Sequence, residues 1–192
     1  MEVRVAAPRD LQAVTVTMTE AFTNDPVWSW AFPDPVKLEV WWRFWVAGAV
    51  PQGSVFLTDG AGAAAMWIPP GGRECAPEDE AHVEPLLRAL IGDRSAGVIE
   101  ILDRFDANHP REEPHYYLSL LGTAPALRGR GLGMALLAEN LARIDREHAP
   151  AYLESSNPVN LERYESVGFV ARGEFILPGD RAVVTTMWRD AR

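Results

Sequence analysis

Along the chain, stretches in which apolar and polar residues alternate with a period of two are separated by stretches with a period near 3.6. This is the signature of strands interleaved with helices. Met1 to Ala7 alternates and reads as a first strand. Pro8, Arg9 and Asp10 then open a helix expected to run to about Phe22, since proline is tolerated at a helix start and aspartate favours the first turn. From Thr23 to Val50 the apolar positions are unusually aromatic (Trp28, Trp30, Phe32, Trp41, Trp42, Phe44 and Trp45), and Pro33 and Pro35 divide the stretch into a loop and a second helix. Ser54 to Thr58 and Ala63 to Ile68 read as strands joined by the turn Asp59-Gly60-Ala61-Gly62, and Pro69-Pro70-Gly71-Gly72 ends the second of them. Glu78 to Asn108 has helical spacing, broken near Gly92 and Asp93 into two helices.

The later half repeats the alternation. His115 to Thr123 is an aromatic and apolar run suited to a buried strand. A helix is expected from about Gly131 to His148, with Leu132, Leu136, Leu141 and Ile144 on its sheet-facing side. Ala151 to Ser156 is the next strand and Pro158 to Val167 a short helix. Phe169 to Leu177 and Ala182 to Trp188 form a closing pair around Pro178-Gly179-Asp180. The order is βααββ, two helices, then βαβαββ, which specifies a mixed α/β sheet.

At 192 residues the chain has the length of one domain. Its 47% hydrophobic and 23% charged residues are ordinary globular composition. The formal charge of −9 removes any general attraction to nucleic acid or to an anionic membrane surface, and either favours cationic partners or serves solubility alone. No apolar run approaches the roughly 18 residues of a membrane span, and the N-terminus lacks an apolar signal core. The single cysteine, Cys75, allows no disulfide framework, which fits a reducing cytoplasm. His82, His109, His115 and His148 have no metal-ligand spacing, so no metal is expected.

The chemistry concentrates after residue 115. Arg128-Gly129-Arg130-Gly131-Leu132-Gly133 stands between a strand-and-turn and an amphipathic helix. Glycines there let backbone N–H groups approach an anion, and the helix N-terminus adds unpaired donors, so a diphosphate is a natural ligand. A flexible turn with solvated arginines is the alternative. The loop has neither the Gly-Lys-Ser/Thr of a nucleoside triphosphate site nor dinucleotide-fold glycine spacing. Gly122 in the preceding strand marks a bulge or close backbone approach, which would free Leu121 and Thr123 to bond a ligand arm, or it merely ends the strand.

Further on, Asn157 can cap a helix beginning at Pro158 and Gly168 can end it, which puts Asn160 and Tyr164 four apart on one face. A tyrosine hydroxyl with a pKa of about 10 suits protonation of a thiolate of about 8.5. The other reading of Tyr164 is a core aromatic residue. Glu154 lies mid-strand, where a carboxylate is costly unless it bonds something useful, and is the first candidate for a general base, the alternative being a satisfied buried carboxylate or an exposed strand-end group. Tyr117 and Ser119 share a strand face and could order a water relay to it.

Leu121-Gly-Thr-Ala-Pro-Ala-Leu-Arg-Gly-Arg-Gly-Leu-Gly133 resembles the acetyl-CoA loop of the GNAT superfamily, whose pattern Gln/Arg-x-x-Gly-x-Gly/Ala is met by Arg128, Gly131 and Gly133. Tyr152 to Ser156, Asn160, Tyr164 and Gly168-Phe169 are similar to that family's fifth strand and following helix. Pro110 to Pro114 through Tyr164 to Phe169 resembles its puromycin-acetylating members more closely. The resemblance implies one α/β (α+β) domain over residues 1–192. It would have a mixed, mostly antiparallel sheet of about seven strands flanked by helices, a β-bulge in the fourth strand and a splayed fourth and fifth pair.

The resemblance also implies a reaction, in which an amine attacks acetyl-CoA directly and CoA leaves as thiolate. Leu121, Gly122, Thr123, Arg128, Gly129, Arg130, Gly131, Leu132, Gly133, Met134 and Asn160 would then hold the cosubstrate. Tyr164 would protonate the thiolate. The acceptor would be a small-molecule amine bound beside Trp28, Trp30, Tyr117 and Ser119, with Asp25 or Asp34 nearby, although these tryptophans can equally be plain core. A protein or peptide amine is the alternative acceptor, and a non-catalytic acyl-CoA-binding domain the alternative to an enzyme. A monomer or homodimer is expected.

Overall fold

The computed structural model describes residues 2–180 and 182–192, so Met1, at the start of the first expected strand, lies outside the described residues. Strand β1 (Val3–Val5) leads through a short 3-10 turn into α1 (Leu11–Phe22). One turn of helix, α2 (Trp28–Ala31), sits where the sequence reads as loop, and α3 (Pro35–Ala49) follows. Prolines at 33 and 35 mask α2 because they break any long period. The Asp25 carboxylate accepts from the N–H groups of Val27 and Trp28 and organises the turn locally. The hairpin β2 (Val55–Thr58) and β3 (Ala63–Ile68) precedes α4 (Pro77–Ile91) and α5 (Ser95–Asn108). Then come β4 (Tyr116–Thr123), α6 (Leu132–Arg146), β5 (Ala151–Ser155), α7 (Leu161–Glu165), β6 (Val170–Ile176) and β7 (Val183–Arg189).

Among the described residues the strands form one seven-stranded sheet in the order β1-β2-β3-β4-β5-β7-β6. All neighbours are antiparallel except β4 and β5. Strand β3 shows how the sheet is held. Ala63, Ala65 and Trp67 face α6, whereas Ala64, Met66 and Ile68 face α1 and α3, so its alternate residues fill two cores. Leu136, Leu141 and Ile144 of α6 are buried on the first side, as the helical spacing predicts. Trp41, Trp42 and Val46 of α3 are buried on the other. A third, smaller core joins Val27, Ile101 and Leu177 to Phe175 and Val184 of the last hairpin. No helix among the described residues is long and apolar enough to cross a membrane.

Two irregularities shape the middle of the sheet. The pairing of β3 with β4 passes from Met66↔Leu120 to Trp67↔Leu118 and so leaves Ser119 as an extra residue on β4. The side chains record the slip. Leu118 packs with the α6-side core and Leu120, two residues on, with the opposite one. The bulge is therefore at Ser119 and not at Gly122, which is in register with Ala64. Gly122 serves close approach instead. A Cβ there would lie 3.0 Å from both the Ala21 Cβ and the Met18 Sδ of α1. The second irregularity is that β4 and β5 pair only at Tyr116↔Ala151, Tyr117↔Tyr152 and Leu118↔Leu153, after which the strands part.

Candidate active site

Where β4 and β5 part, the first residue of β5 without a β4 partner is Glu154, and beside it on β4 is the bulged Ser119. The gap belongs to a cleft of about 920 Å³. Glu154 accepts from the Tyr117 hydroxyl at 2.7 Å and from the Tyr152 hydroxyl at 2.8 Å. Burial pushes its carboxyl up to about 7, while the two hydroxyls pull the other way by favouring the ionised form. The same burial raises both tyrosine hydroxyls, so each remains a donor.

Glu74, on the loop after β3, lines the same cleft and accepts from the Ser119 hydroxyl. Burial raises its carboxyl too. Sequence reasoning did not single out Glu74, because it lies 45 residues from Ser119 and only the bulge brings them together. His109 and His115, which have no metal-ligand spacing in the sequence, come together in the fold. They lie 3.1 Å apart between their Nε2 atoms, and the His109 ring packs edge-on against Tyr117 and Tyr152. Burial lowers His109 to about 4, which leaves it neutral.

Tyr164 also lines the cleft, together with Asn160 and Asn157. The expected capping by Asn157 is present, since its side chain accepts from the Val159 N–H at 3.1 Å. The helix is shorter than 158–167, however: a 3-10 turn over Pro158–Asn160 precedes α7, and Asn160 becomes the residue before its first turn. The Asn160 Oδ1 accepts from Arg163 at 2.8 Å. Burial raises the Tyr164 hydroxyl to about 12. Asp25, raised by burial, accepts from Ser156 at 3.3 Å and so joins the α1–α2 connection to the end of β5.

Of the aromatic residues, Trp28 lines the cleft and packs at 4.9 Å between ring centroids against Trp42. Trp30 does not line it. Its ring packs on α5, where a Cβ at Gly97 would lie 2.9 Å away. Tyr117, Ser119 and Leu121 are in the cleft wall. Among the described residues eight carboxylates and two guanidinium groups line the cleft, so it attracts cations.

The glycine loop lies beyond the cleft, at the start of α6. Gly129 and Gly131 have φ of 78° and 75°, a backbone that glycine adopts without strain. No side chain caps α6, which leaves the first-turn N–H groups of Leu132, Gly133 and Met134 unpaired within the helix. A Cβ at Gly133 would lie 2.6 Å from Thr123 Oγ1, so this glycine lets the helix start close against β4. Arg128 donates to the Ala21 carbonyl at 3.0 Å, and Arg130 is exposed. On β4, the Ala124 N–H bonds to Gly62 on the β3 side. By alternation, the N–H groups of Leu121 and Thr123 face the gap.

Residues 56–169 match the model of the acetyltransferase (GNAT) family. Among solved structures the chain is similar to one from Corynebacterium glutamicum named histone acetyltransferase HPA2 and related acetyltransferase, with TM-score 0.70 and 24% identity over 99% of this chain and 96% of that one. It is similar to agmatine N-acetyltransferase, at TM-score 0.66 and 18% identity over 98% of each chain. It is also similar to the polyamine N-acetyltransferase of Drosophila melanogaster, at 0.64 and 20% over 98% and 99%.

Proposed function

The chain belongs to the acetyltransferase (GNAT) family, and from that premise we propose that it transfers an acetyl group from acetyl-CoA directly to a primary amine of a small molecule. In this reading Glu154 accepts the proton of the amine and Tyr164 protonates the departing thiolate. The carrying observation is Glu154 itself, a carboxylate with a pKa of about 7 at the point where β5 leaves β4, inside a cleft that attracts cations. An ammonium group entering this cleft must lose its proton before its nitrogen can attack, and a base poised near neutral pH both takes that proton and releases it afterwards.

The residues present fit the cosubstrate. The unpaired N–H groups of Leu132, Gly133 and Met134 and the open approach over Gly129 and Gly131 form an anion cradle, to which Arg128 and Arg130 add charge. The N–H groups of Leu121 and Thr123, on either side of Gly122, offer ladder bonds to an extended arm in the gap, and Asn160 offers an amide on the cleft wall. Acetyl-CoA supplies the acyl thioester and the thiolate leaving group. The Tyr164 hydroxyl, at about 12, is protonated at neutral pH and holds the proton that the thiolate needs. Asn160, in the same cleft, orients this end of the site.

The acceptor reading draws on three supports: the acidic cleft, the agmatine and polyamine substrates named for two structurally similar proteins, and the resemblance of the stretch from Pro110 to Phe169 to puromycin-acetylating members. We take residues 1–192 as one domain working in a reducing cytoplasm. The test is to supply the purified protein with acetyl-CoA and a panel of small amines, peptides with free N-termini, and a no-amine control. Free thiol released with the small amines is the expected result. Release with peptides alone would move the acceptor to protein, and no release with any of them would overturn the enzyme reading.

A further inference from the structure

The cleft contains more carboxylate than one proton transfer requires. Among the described residues neither Glu74 nor Glu154 forms an ion pair. The two guanidinium groups that line the cleft are engaged by other carboxylates of its wall, Arg73 by Glu80 at 3.0 Å and Arg111 by Asp106. Glu74 is close enough to Glu154 to raise that carboxyl's affinity for a proton, and Asp106 does the same to Glu74. Two largely enclosed carboxylates without a cation are costly, so the fold retains them where a cation arrives from outside.

A hydrogen bond holds Glu74 in place and favours its ionised form. The bulge in β4 takes Ser119 out of register with β3, and its hydroxyl donates to one Glu74 oxygen. A bulge beside a site re-aims a side chain, and here it ties the loop after β3 to the sheet next to Glu154. Ser119 satisfies Glu74 Oε1 only, and the second oxygen has no hydrogen-bond partner among the described residues.

We propose that Glu74 is a specificity-determining residue that holds a second positive charge of the acceptor, so that the substrate class is a diamine or guanidino-amine with one group acetylated and the other kept ionised. This rests on the acetyltransferase reading above. Glu154 deprotonates the amine that reacts, and Glu74 receives the distal cation and sets which end of the molecule faces the gap. A monoamine of the same length has no distal cation and leaves Glu74 uncompensated beside Glu154.

The experiment compares putrescine with n-butylamine, which differ by one cationic group, on the full chain and on Glu74→Gln. Free thiol is followed with acetyl-CoA present, and binding of each amine is followed by calorimetry with CoA present. A hydrogen-bonded charge pair in a partly enclosed site makes kcat/KM and affinity for the diamine about ten- to a hundred-fold higher. In Glu74→Gln the ratio of the two amines should collapse toward one. A ratio near one in the unaltered chain overturns the proposal, as does a Glu74→Gln variant that loses both amines equally and keeps the ratio. Equal absence of binding by both amines also overturns it. Diamine-selective binding that depends on Glu74 but gives no thiol would sustain the anchor and defeat the transferase reading. Equal turnover of both amines would do the reverse.

Discussion

Replacing Tyr152 with phenylalanine tests whether Glu154 is the base without touching the cleft wall. Tyr152 is buried and does not line the cleft, and its hydroxyl donates one of the two hydrogen bonds that hold Glu154 ionised against burial. The carboxylate is the active form, so kcat/KM should rise with pH through about 7 in the unaltered chain. A hydrogen bond to a charged group contributes about 1.5–3 kcal/mol, and one pKa unit corresponds to about 1.4 kcal/mol. Loss of the Tyr152 donor therefore raises the Glu154 pKa by about one to two units. The ascending limb should move up in pH to match. At neutral pH the variant should be roughly five- to fifty-fold slower, and the two curves should converge above about pH 9.5. Thiol release with one amine at saturating acetyl-CoA, read as the ratio of variant to unaltered chain, cancels the titration of the amine itself. A ratio that is constant across pH would refute the assignment of Glu154 as base, since loss of packing alone lowers activity equally at every pH.

Further outcomes follow from the same geometry. Tyr164→Phe should lower kcat by about two to four orders of magnitude while affinity for acetyl-CoA, measured by calorimetry, stays within about threefold. Gly131→Glu should abolish acetyl-CoA binding, because it puts a like charge in the anion cradle and a side chain on left-handed backbone. Gly131→Asn, which tolerates that backbone, should retain it; equal binding by both variants would displace the diphosphate from this loop. Glu154→Gln should change how stability depends on pH. The folded pKa of about 7 exceeds the ordinary 4.5, so the native state holds the extra proton and Glu154 withdraws stability as pH rises between those values. Relative to the unaltered chain, the variant should gain up to about 3 kcal/mol between pH 4.5 and pH 8 in urea unfolding, and parallel curves would contradict the shift.

What could be read without coordinates was whatever depends on neighbours in the chain. The hairpin around Gly60, the α6 face of Leu136, Leu141 and Ile144, and the Asn157 cap are all local signals, and the structure has each of them. The splayed fourth and fifth strands came from resemblance to the family and are present. The bulge was expected in the right strand at the wrong residue. Gly122 advertises backbone freedom, but α1 uses that freedom for packing, while Ser119 carries no local mark of a register slip. The same blindness hid Glu74, whose partner lies across the sheet, and the tie of Asp25 to Ser156, 131 residues away. Trp28 and Trp30 look alike in sequence, yet one lines the cleft and the other packs on α5. One turn of helix turns them in different directions.

The three rungs between β4 and β5 also have a mechanical meaning. The sheet is two half-sheets, β1 to β4 and β5 to β7, each knit by antiparallel ladders and joined by this short parallel seam and by the shared core under α6. Such a joint should open as a unit before either half melts, so the amides bordering it should exchange with solvent sooner than those of β2 or β7. A ligand arm laid in the gap supplies the rungs that the chain omits and splices the halves together. At a hundredfold excess over its dissociation constant it would add about 2.7 kcal/mol to global stability. Its footprint in hydrogen exchange would be concentrated at Leu121, Thr123 and the end of β5, which makes the seam a reporter of occupancy as well as its site.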